Sequence, residues 1–291
     1  MPTTTDPRAP DPAATRDLDG TTWFITGGSS GIGLGLGLAA AARGARVALA
    51  GTSRSKLDAA ESLLASRGAT GMGLVLDVTD AGAWPAVIAR AEERLGPIDH
   101  LVLNAGIGTE NTPVESAPLS LWRWTFDVNV MGVVHGLQCC LPAMRARART
   151  GRIMITSSIA ALISPPGLAP YSVSKAAAIA LAETLRSELA ATPIRPSVLI
   201  PAAVRTDFSA TSNRHAPAEW DPQERARALE HVRNMLDGGL DPLEVGRFVV
   251  AQMLRGAFYI FTHADFRAGI AARQAELLSA VPLTAPLTAP G

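Results

Sequence analysis

Seven short apolar runs, separated by longer stretches of helical spacing, predict an α/β protein: a doubly wound parallel sheet of about seven strands with helices on both faces, in one domain. Two observations carry this prediction. The runs show little inward–outward alternation, as strands buried on both faces do. The 291-residue chain, 47% hydrophobic and 18% charged, is also large and apolar enough to cover such a sheet with helices.

Residues 1–16, MPTTTDPRAPDPAATR, lack the basic and apolar regions of a secretory signal, and their proline and threonine content predicts a disordered arm. The folded domain is expected over 17–262. Its first strand is TWFIT (22–26), followed by a glycine-rich turn and the helical LGLGLAAAARG (34–44). RVALAG (46–51) and GLVLDV (73–78) are the second and third strands. AWPAVIARAEERLG (83–96) is helical and leads to the fourth strand, HLVLNAG (100–106). One long helix is expected over 119–144, closed by the basic run RARART (145–150), whose cations suit a helix C-terminus. GRIMITSS (151–158), a helix over 172–190, RPSVLI (195–200), a helix over 242–255 and AFYIFT (257–262) complete the alternation. A further helix and a flexible tail are expected over 263–291, where PLTAPLTAPG is of low complexity.

Composition narrows the function. Lys plus Arg number 26 and Asp plus Glu 26, so no global field draws the chain to nucleic acid or anionic lipid. No apolar run approaches the ~20 residues of a membrane-crossing helix, because Gly, Arg or Pro interrupts each candidate. Cys139 and Cys140 are adjacent and offer neither a disulfide framework nor metal spacing, which fits a reducing, cytoplasmic compartment and no bound metal.

Ligands of doubly wound sheets bind beyond the carboxyl ends of the strands. There the first strand runs into TGGSSGIG (26–33), where Gly27, Gly31 and Gly33 permit a sharp turn and a close approach to phosphate at a helix N-terminus. A purely structural tight turn would use the same glycines. Gly35 and Gly37, already in the helix, suit close helix–sheet packing. Further along, Tyr171 and Lys175 are spaced i,i+4, so a helix sets phenol and ammonium side by side. The positive charge favours the phenolate and draws the tyrosine pKa down from about 10.

TGGSSGIG (26–33), Asp77 with Val78, NAG (104–106), Asn129 in DVNVMG, ITSS (155–158) and YSVSK (171–175) together resemble the short-chain dehydrogenase/reductase family over roughly 18–262. The order of these pieces and the thirteen-residue step from Ser158 to Tyr171 make the combination specific. The resemblance implies a Rossmann-type fold, an NAD(P)-dependent oxidoreductase and a catalytic set of Asn129, Ser158, Tyr171 and Lys175. It implies cofactor contacts in the glycine-rich turn, at Gly27, Ser29, Ser30, Gly31, Ile32 and Gly33. Asp77 and Val78 would meet the adenine, and Asn104, Ala105 and Gly106 would bring backbone beside the cofactor. Lys175 and Tyr171 would also reach the nicotinamide ribose, and Pro201, Val204 and Thr206 the nicotinamide side. The family usually shows P-G-x-V-x-T after the sixth strand; here PAAVRT puts Ala202 in place of glycine.

The chemistry follows from residue types. Reducing a ketone takes a hydride on carbon and a proton on oxygen; the nicotinamide supplies the first and the protein the second. Tyr171 is the candidate acid, and in reverse its phenolate would take the alcohol proton. Ser158 is the candidate donor to the substrate oxygen, with Ser157 a neighbour that bonds locally. Asn129 in an apolar helix is either a satisfied buried amide or, by the resemblance, the holder of a water that relays protons to Lys175.

At the end of the second strand a carboxylate would select NAD, but Gly51 stands there. Thr52, Ser53 and Arg54 offer donors suited to a 2′-phosphate, so NADP(H) is expected to be preferred over NAD(H). The segment 202–240 is expected to form a substrate lid, or a plain helical hairpin, with Phe208, Trp220, Leu229, Met235 and Leu236 over a hydrophobic pocket. His215 and His231 lack metal spacing and are expected on the surface. The helix around Val130–Leu141 is expected to support a homodimer or homotetramer. Two other function classes share these residues: a dinucleotide-binding regulatory protein without turnover, and a non-redox lyase or epimerase.

Overall fold

The computed structural model describes residues 16–109, 113–206, 208 and 216–281. All of the expected arm (1–16) but Arg16, the tail (282–291) and His215 lie outside the described residues, as does the Leu229 side chain. Strands β1 (Thr22–Thr26), β2 (Arg46–Gly51), β3 (Gly71–Val75), β4 (His100–Leu103), β5 (Gly151–Thr156), β6 (Ile194–Ile200) and β7 (Tyr259–Phe261) form one parallel sheet in the order β3-β2-β1-β4-β5-β6-β7. The order reverses between β1 and β4, which opens a crevice at their carboxyl ends.

Helices α1 (Gly31–Ala42), α2 (Arg54–Ser66), α3 (Trp84–Leu95), α4 (Leu119–Phe126) and α5 (Gly132–Arg147) precede β5 or follow the strands before it. The four-residue α6 (Ala160–Ile163), α7 (Ala169–Glu188), α8 (Pro222–Asp237), α9 (Pro242–Leu254) and α10 (Arg267–Ala280) complete the chain. Strand side chains alternate between two cores. Phe24, Leu101 and Ile155 face α3, α5 and α7, whereas Trp23, Ile25 and Val102 face α1, α2 and α9. Full burial of such side chains contributes about 1.5–3 kcal/mol each, which holds the carboxyl ends of the strands in register.

Close packing fixes where α1 begins. A Cβ on Gly35 would run into the Pro242 carbonyl oxygen, and one on Gly246 into the Gly35 carbonyl oxygen, so α1 and α9 cross with their backbones in contact. Gly37 lets α1 rest on Leu49 of β2. Asp241 caps α9 by accepting from the Leu243 and Glu244 amides.

Three expectations are corrected, and one helix without an expected counterpart is present. The third strand, Gly71–Val75, starts two residues and ends three residues earlier than GLVLDV (73–78) suggests; Val78 leaves the sheet, and its carbonyl accepts from the Trp84 indole. Helix α2 has no counterpart in the apolar pattern, because only Leu57, Ala60 and Leu64 of its thirteen residues are buried. The long helix over 119–144 is two helices joined by a π-helical turn, Asp127–Met131. In the basic run, Arg147 does more than end α5: it donates to the Ile98 carbonyl and pairs with Glu92 at 3.5 Å, tying α5 to the entry of β4.

Candidate active site

A chain of hydrogen bonds at the carboxyl ends of β1, β4 and β5 builds the floor of the site. The Thr26 hydroxyl accepts from the amides of Asn104 and Ala105 at 2.9 and 3.0 Å. Asn104 Nδ2 donates to the Thr26 carbonyl at 3.1 Å, and its Oδ1 accepts from the Thr156 hydroxyl at 3.1 Å. The Asn104 side chain is thereby consumed in joining three strands, and only the backbone of Ala105 and Gly106 is left to meet a ligand. A Cβ on Gly27 would lie 3.0 Å from the Ala105 Cα, so the glycine-rich turn rests directly on this segment.

Helix α7 brings Tyr171 and Lys175 to the same place. Lys175, 3% exposed, donates from Nζ to the Thr156 carbonyl at 3.0 Å and lies 5.8 Å from the centre of the Tyr171 ring. Burial pushes its ammonium down from 10.5 to about 8, because the charged form loses its hydration. Ser157, one residue beyond β5, donates to the Lys175 carbonyl at 2.7 Å and so pins α7 against the strand. Ser158, the next residue, is buried, its hydroxyl accepting from the Ala160 amide at 3.2 Å.

Asn129 sits in the π-helical turn, 1% exposed, with its amide fully engaged. Its Oδ1 accepts from the Ile107 amide at 2.8 Å, and its Nδ2 donates to the Ile107 carbonyl and the Ser174 hydroxyl, both at 3.0 Å. A Cβ on Gly106 would meet Lys175 Nζ at 2.9 Å and Asn129 Oδ1 at 3.2 Å. The NAG segment, Asn129 and Lys175 therefore touch. Sequence reasoning assigned nothing to Thr26, Thr156 or Ser174, because their partners are distant in the chain.

The glycine-rich turn presents an open helix N-terminus. Gly27 and Gly31 take φ of +62° and +53°, values suited to glycine. Ser30, the N-cap of α1, makes no side-chain cap, and the first turn holds no acidic residue. With Ser29, Ser30, Gly31 and Ile32 all half-buried, the amides at this end remain available to an anion. Thr206 closes on the turn from the β6 loop, its methyl 2.8 Å from where a Gly31 Cβ would stand.

The profile of the family described as short chain dehydrogenase matches residues 21–217. The chain belongs to that family. Among relatives of this short chain dehydrogenase, the 1-deoxy-11-beta-hydroxypentalenate dehydrogenase of Streptomyces avermitilis is 34% identical over 257 residues, 85% of this chain and 86% of the other. A short chain dehydrogenase/reductase from Burkholderia phymatum, solved in complex with NAD, superposes with a TM-score of 0.86 at 29% identity, covering 94% of this chain and 99% of that one. An alcohol dehydrogenase from the archaeon Thermococcus sibiricus, solved with 5-hydroxy-NADP, gives a TM-score of 0.68 at 26% identity, covering 83% of this chain and 95% of that one. Family neighbours thus bind either dinucleotide, and the chain is a member of an oxidoreductase family.

Not every expected contact faces the site of this short chain dehydrogenase. Val78 is buried against Gly132, and Val204 is 2% exposed in the α1–α9 core, so neither side chain points outward. Asp77 is exposed and accepts from the amide and hydroxyl of Thr79. At the end of β2, Ser53 caps α2 by accepting from the Lys56 amide, Thr52 is exposed, and Arg54 binds Asp58 at 2.6 Å and the Gly73 carbonyl at 3.1 Å. In the expected lid, the Phe208 ring meets Tyr171 edge-on at 6.1 Å. Trp220 is buried against Leu121 of α4, and Leu236 is also buried. The expectation for Met235 is corrected: it is 54% exposed rather than packed. His231 is exposed.

Proposed function

We propose that this chain interconverts a ketone or aldehyde and an alcohol by hydride transfer, with NADP(H) preferred and NAD(H) accepted, and with Tyr171 as general acid/base. The observation that carries this reading is the placement of Tyr171 beside the buried Lys175, whose ammonium is bonded to the last residue of β5, two residues before Ser158. The uncapped, acid-free N-terminus of α1 fits a pyrophosphate, and Gly106 brings backbone against Lys175, where a ribose fits.

When bound, the nicotinamide supplies or accepts the hydride. The chain's own residues handle the proton and the oxygen. Ser158 orients the substrate oxygen, and the Tyr171 hydroxyl gives it a proton in reduction or, as phenolate, takes one in oxidation. Lys175 lowers the cost of the phenolate by its charge, and its bond to the Thr156 carbonyl fixes where that charge stands. Asn129 holds Ile107 and Ser174 and so keeps the π-helical turn beside Lys175. The neighbours' names, one an alcohol dehydrogenase and one a hydroxypentalenate dehydrogenase, support a hydroxyl-bearing substrate.

The substrate is a hydrophobic small molecule, since Phe208 lies against Tyr171 and Trp220 backs the lid on Leu121. We assign the protein to the cytoplasm as a homodimer or homotetramer, without nucleic-acid or membrane partners. Among the described residues, no helix is long and apolar enough to cross a membrane. The test is the near-ultraviolet absorbance of reduced nicotinamide with a panel of carbonyl compounds. Consumption of NADPH or NADH supports the reading. Binding without consumption across the panel favours a regulatory protein or a non-redox enzyme.

A further inference from the structure

The loop after β6 carries Pro201, Val204 and Thr206, and among the described residues four hydrogen bonds hold its backbone. The Ile159 amide donates to the Pro201 carbonyl at 2.9 Å, the Leu240 amide to the Ala203 carbonyl at 3.0 Å, and the Arg205 amide to the Leu240 carbonyl at 2.9 Å. The fourth differs in kind: the Ala202 amide donates to the Thr262 hydroxyl at 3.3 Å. A point substitution leaves the first three intact and can remove the fourth.

Thr262 stands one residue beyond β7, whose ladder with β6 ends where Ile200 pairs with Phe261. The threonine side chain thus takes over where backbone pairing stops. Its hydroxyl lies 2.7 Å from His263 Nδ1, which fixes the rotamer. Ala202 occupies the position where family members usually have glycine, and it is absent from the positive-φ residues of the described chain. The loop therefore follows a path open to ordinary residues, and its position depends on its bonds. Thr206, four residues on in the same loop, abuts Gly31 across the turn, so this loop borders the glycine-rich turn.

We propose that Thr262 is a positioning residue for the nicotinamide half of the cofactor, holding the β6 loop through the Ala202 amide while His263 orients its hydroxyl. The inference rests on the dinucleotide reading above. Its signature is selectivity within one ligand: the nicotinamide half should feel the loss and the adenine half should not.

The experiment titrates wild type, Thr262→Val, Thr262→Ser and His263→Leu with NADPH and with adenosine 2′,5′-bisphosphate, and in parallel with NADH and ADP. Loss of one hydrogen bond that leaves a backbone amide unpaired predicts a roughly five- to tenfold weaker dinucleotide for Thr262→Val. Its affinity for the adenine fragments should be unchanged. Thr262→Ser should restore the dinucleotide, and His263→Leu should show the same selectivity at smaller amplitude. Thr262→Val that binds dinucleotide like wild type, or that weakens both ligand classes equally, overturns the inference alone. Should the valine variant not fold, His263→Leu decides by the same comparison. A wild type that binds no dinucleotide overturns the underlying reading and this inference with it.

Discussion

Lys175 Nζ is bonded to the Thr156 carbonyl at 3.0 Å, so the last residue of β5 holds a buried ammonium on the neighbouring helix. Because burial lowers its pKa to about 8, the folded protein sheds this proton well before an unfolded lysine at 10.5 does. Below about pH 8 both states are protonated and the cost of burying the charge is fully present. Between about 8 and 10.5 only the unfolded state keeps the proton, so this residue's contribution to stability improves as pH rises. Trace acylation of the ligand-free protein should show a Lys175 midpoint near 8. Lys175→Met should raise stability at pH 7 by about 2 kcal/mol, the lost Thr156 bond being set against the relieved burial, while abolishing turnover. A midpoint level with the surface lysines contradicts this account.

Tyr171→Phe isolates the proton step. The ring keeps its edge contact with Phe208, so the fold and cofactor affinity should stay near wild type while turnover falls by roughly 10²–10⁴-fold. Residual activity above a tenth of wild type would remove Tyr171 from the role of acid.

How much of this was legible before the fold was known depends on distance along the chain. The Tyr171–Lys175 pair and the glycine-rich turn are local, so spacing alone reveals them. The strands are legible because burial on both faces leaves apolar runs, and β3 is misplaced at both ends: Leu76–Val78 extend the run beyond the ladder, and Gly71 and Met72, which belong to it, precede the run. Asn129 is visible as an amide in an apolar stretch, but its π-helical turn carries no compositional mark. The Thr26–Asn104–Thr156 chain is invisible because its members lie on three strands that only the order β1-β4-β5 makes neighbours. Helix α2 escapes because its exposed face outnumbers its buried one, although Ser53 marks its start.

His100 predicts the acid limb of stability. It stacks on Trp23 at 4.7 Å between centroids, and burial, helped by the Arg152 charge, pushes its pKa from 6.5 to about 3. Above 6.5 neither state is protonated and the contribution is complete. As pH falls from 6.5 towards 3 the unfolded chain takes up a proton that the folded one refuses, so stability drops, by up to roughly 5 kcal/mol over the whole window. His100→Phe keeps the stack and cannot titrate. Its melting temperature should decline less than that of wild type from about pH 7 to about pH 4; parallel curves would show that other groups set the acid limb.

Arg54 bears on cofactor choice. With Gly51 where a carboxylate would repel a 2′-phosphate, no acid stands at the end of β2, yet Arg54 is held by Asp58 at 2.6 Å and by the Gly73 carbonyl. Arg54 and Asp58 are both exposed, and a surface pair of this kind is worth about 0–1 kcal/mol, less than a charge-assisted bond to phosphate at about 1.5–3 kcal/mol. The guanidinium should therefore leave Asp58 for the phosphate. Arg54→Ala should raise KM for NADP several-fold more than KM for NAD, and Asp58→Asn, by freeing the guanidinium, should lower KM for NADP. Initial rates at equal low concentrations of the two cofactors give the direct comparison. A wild type that works better with NAD, or an Asp58→Asn variant indifferent to the phosphate, would show that Arg54 stays with its protein partners.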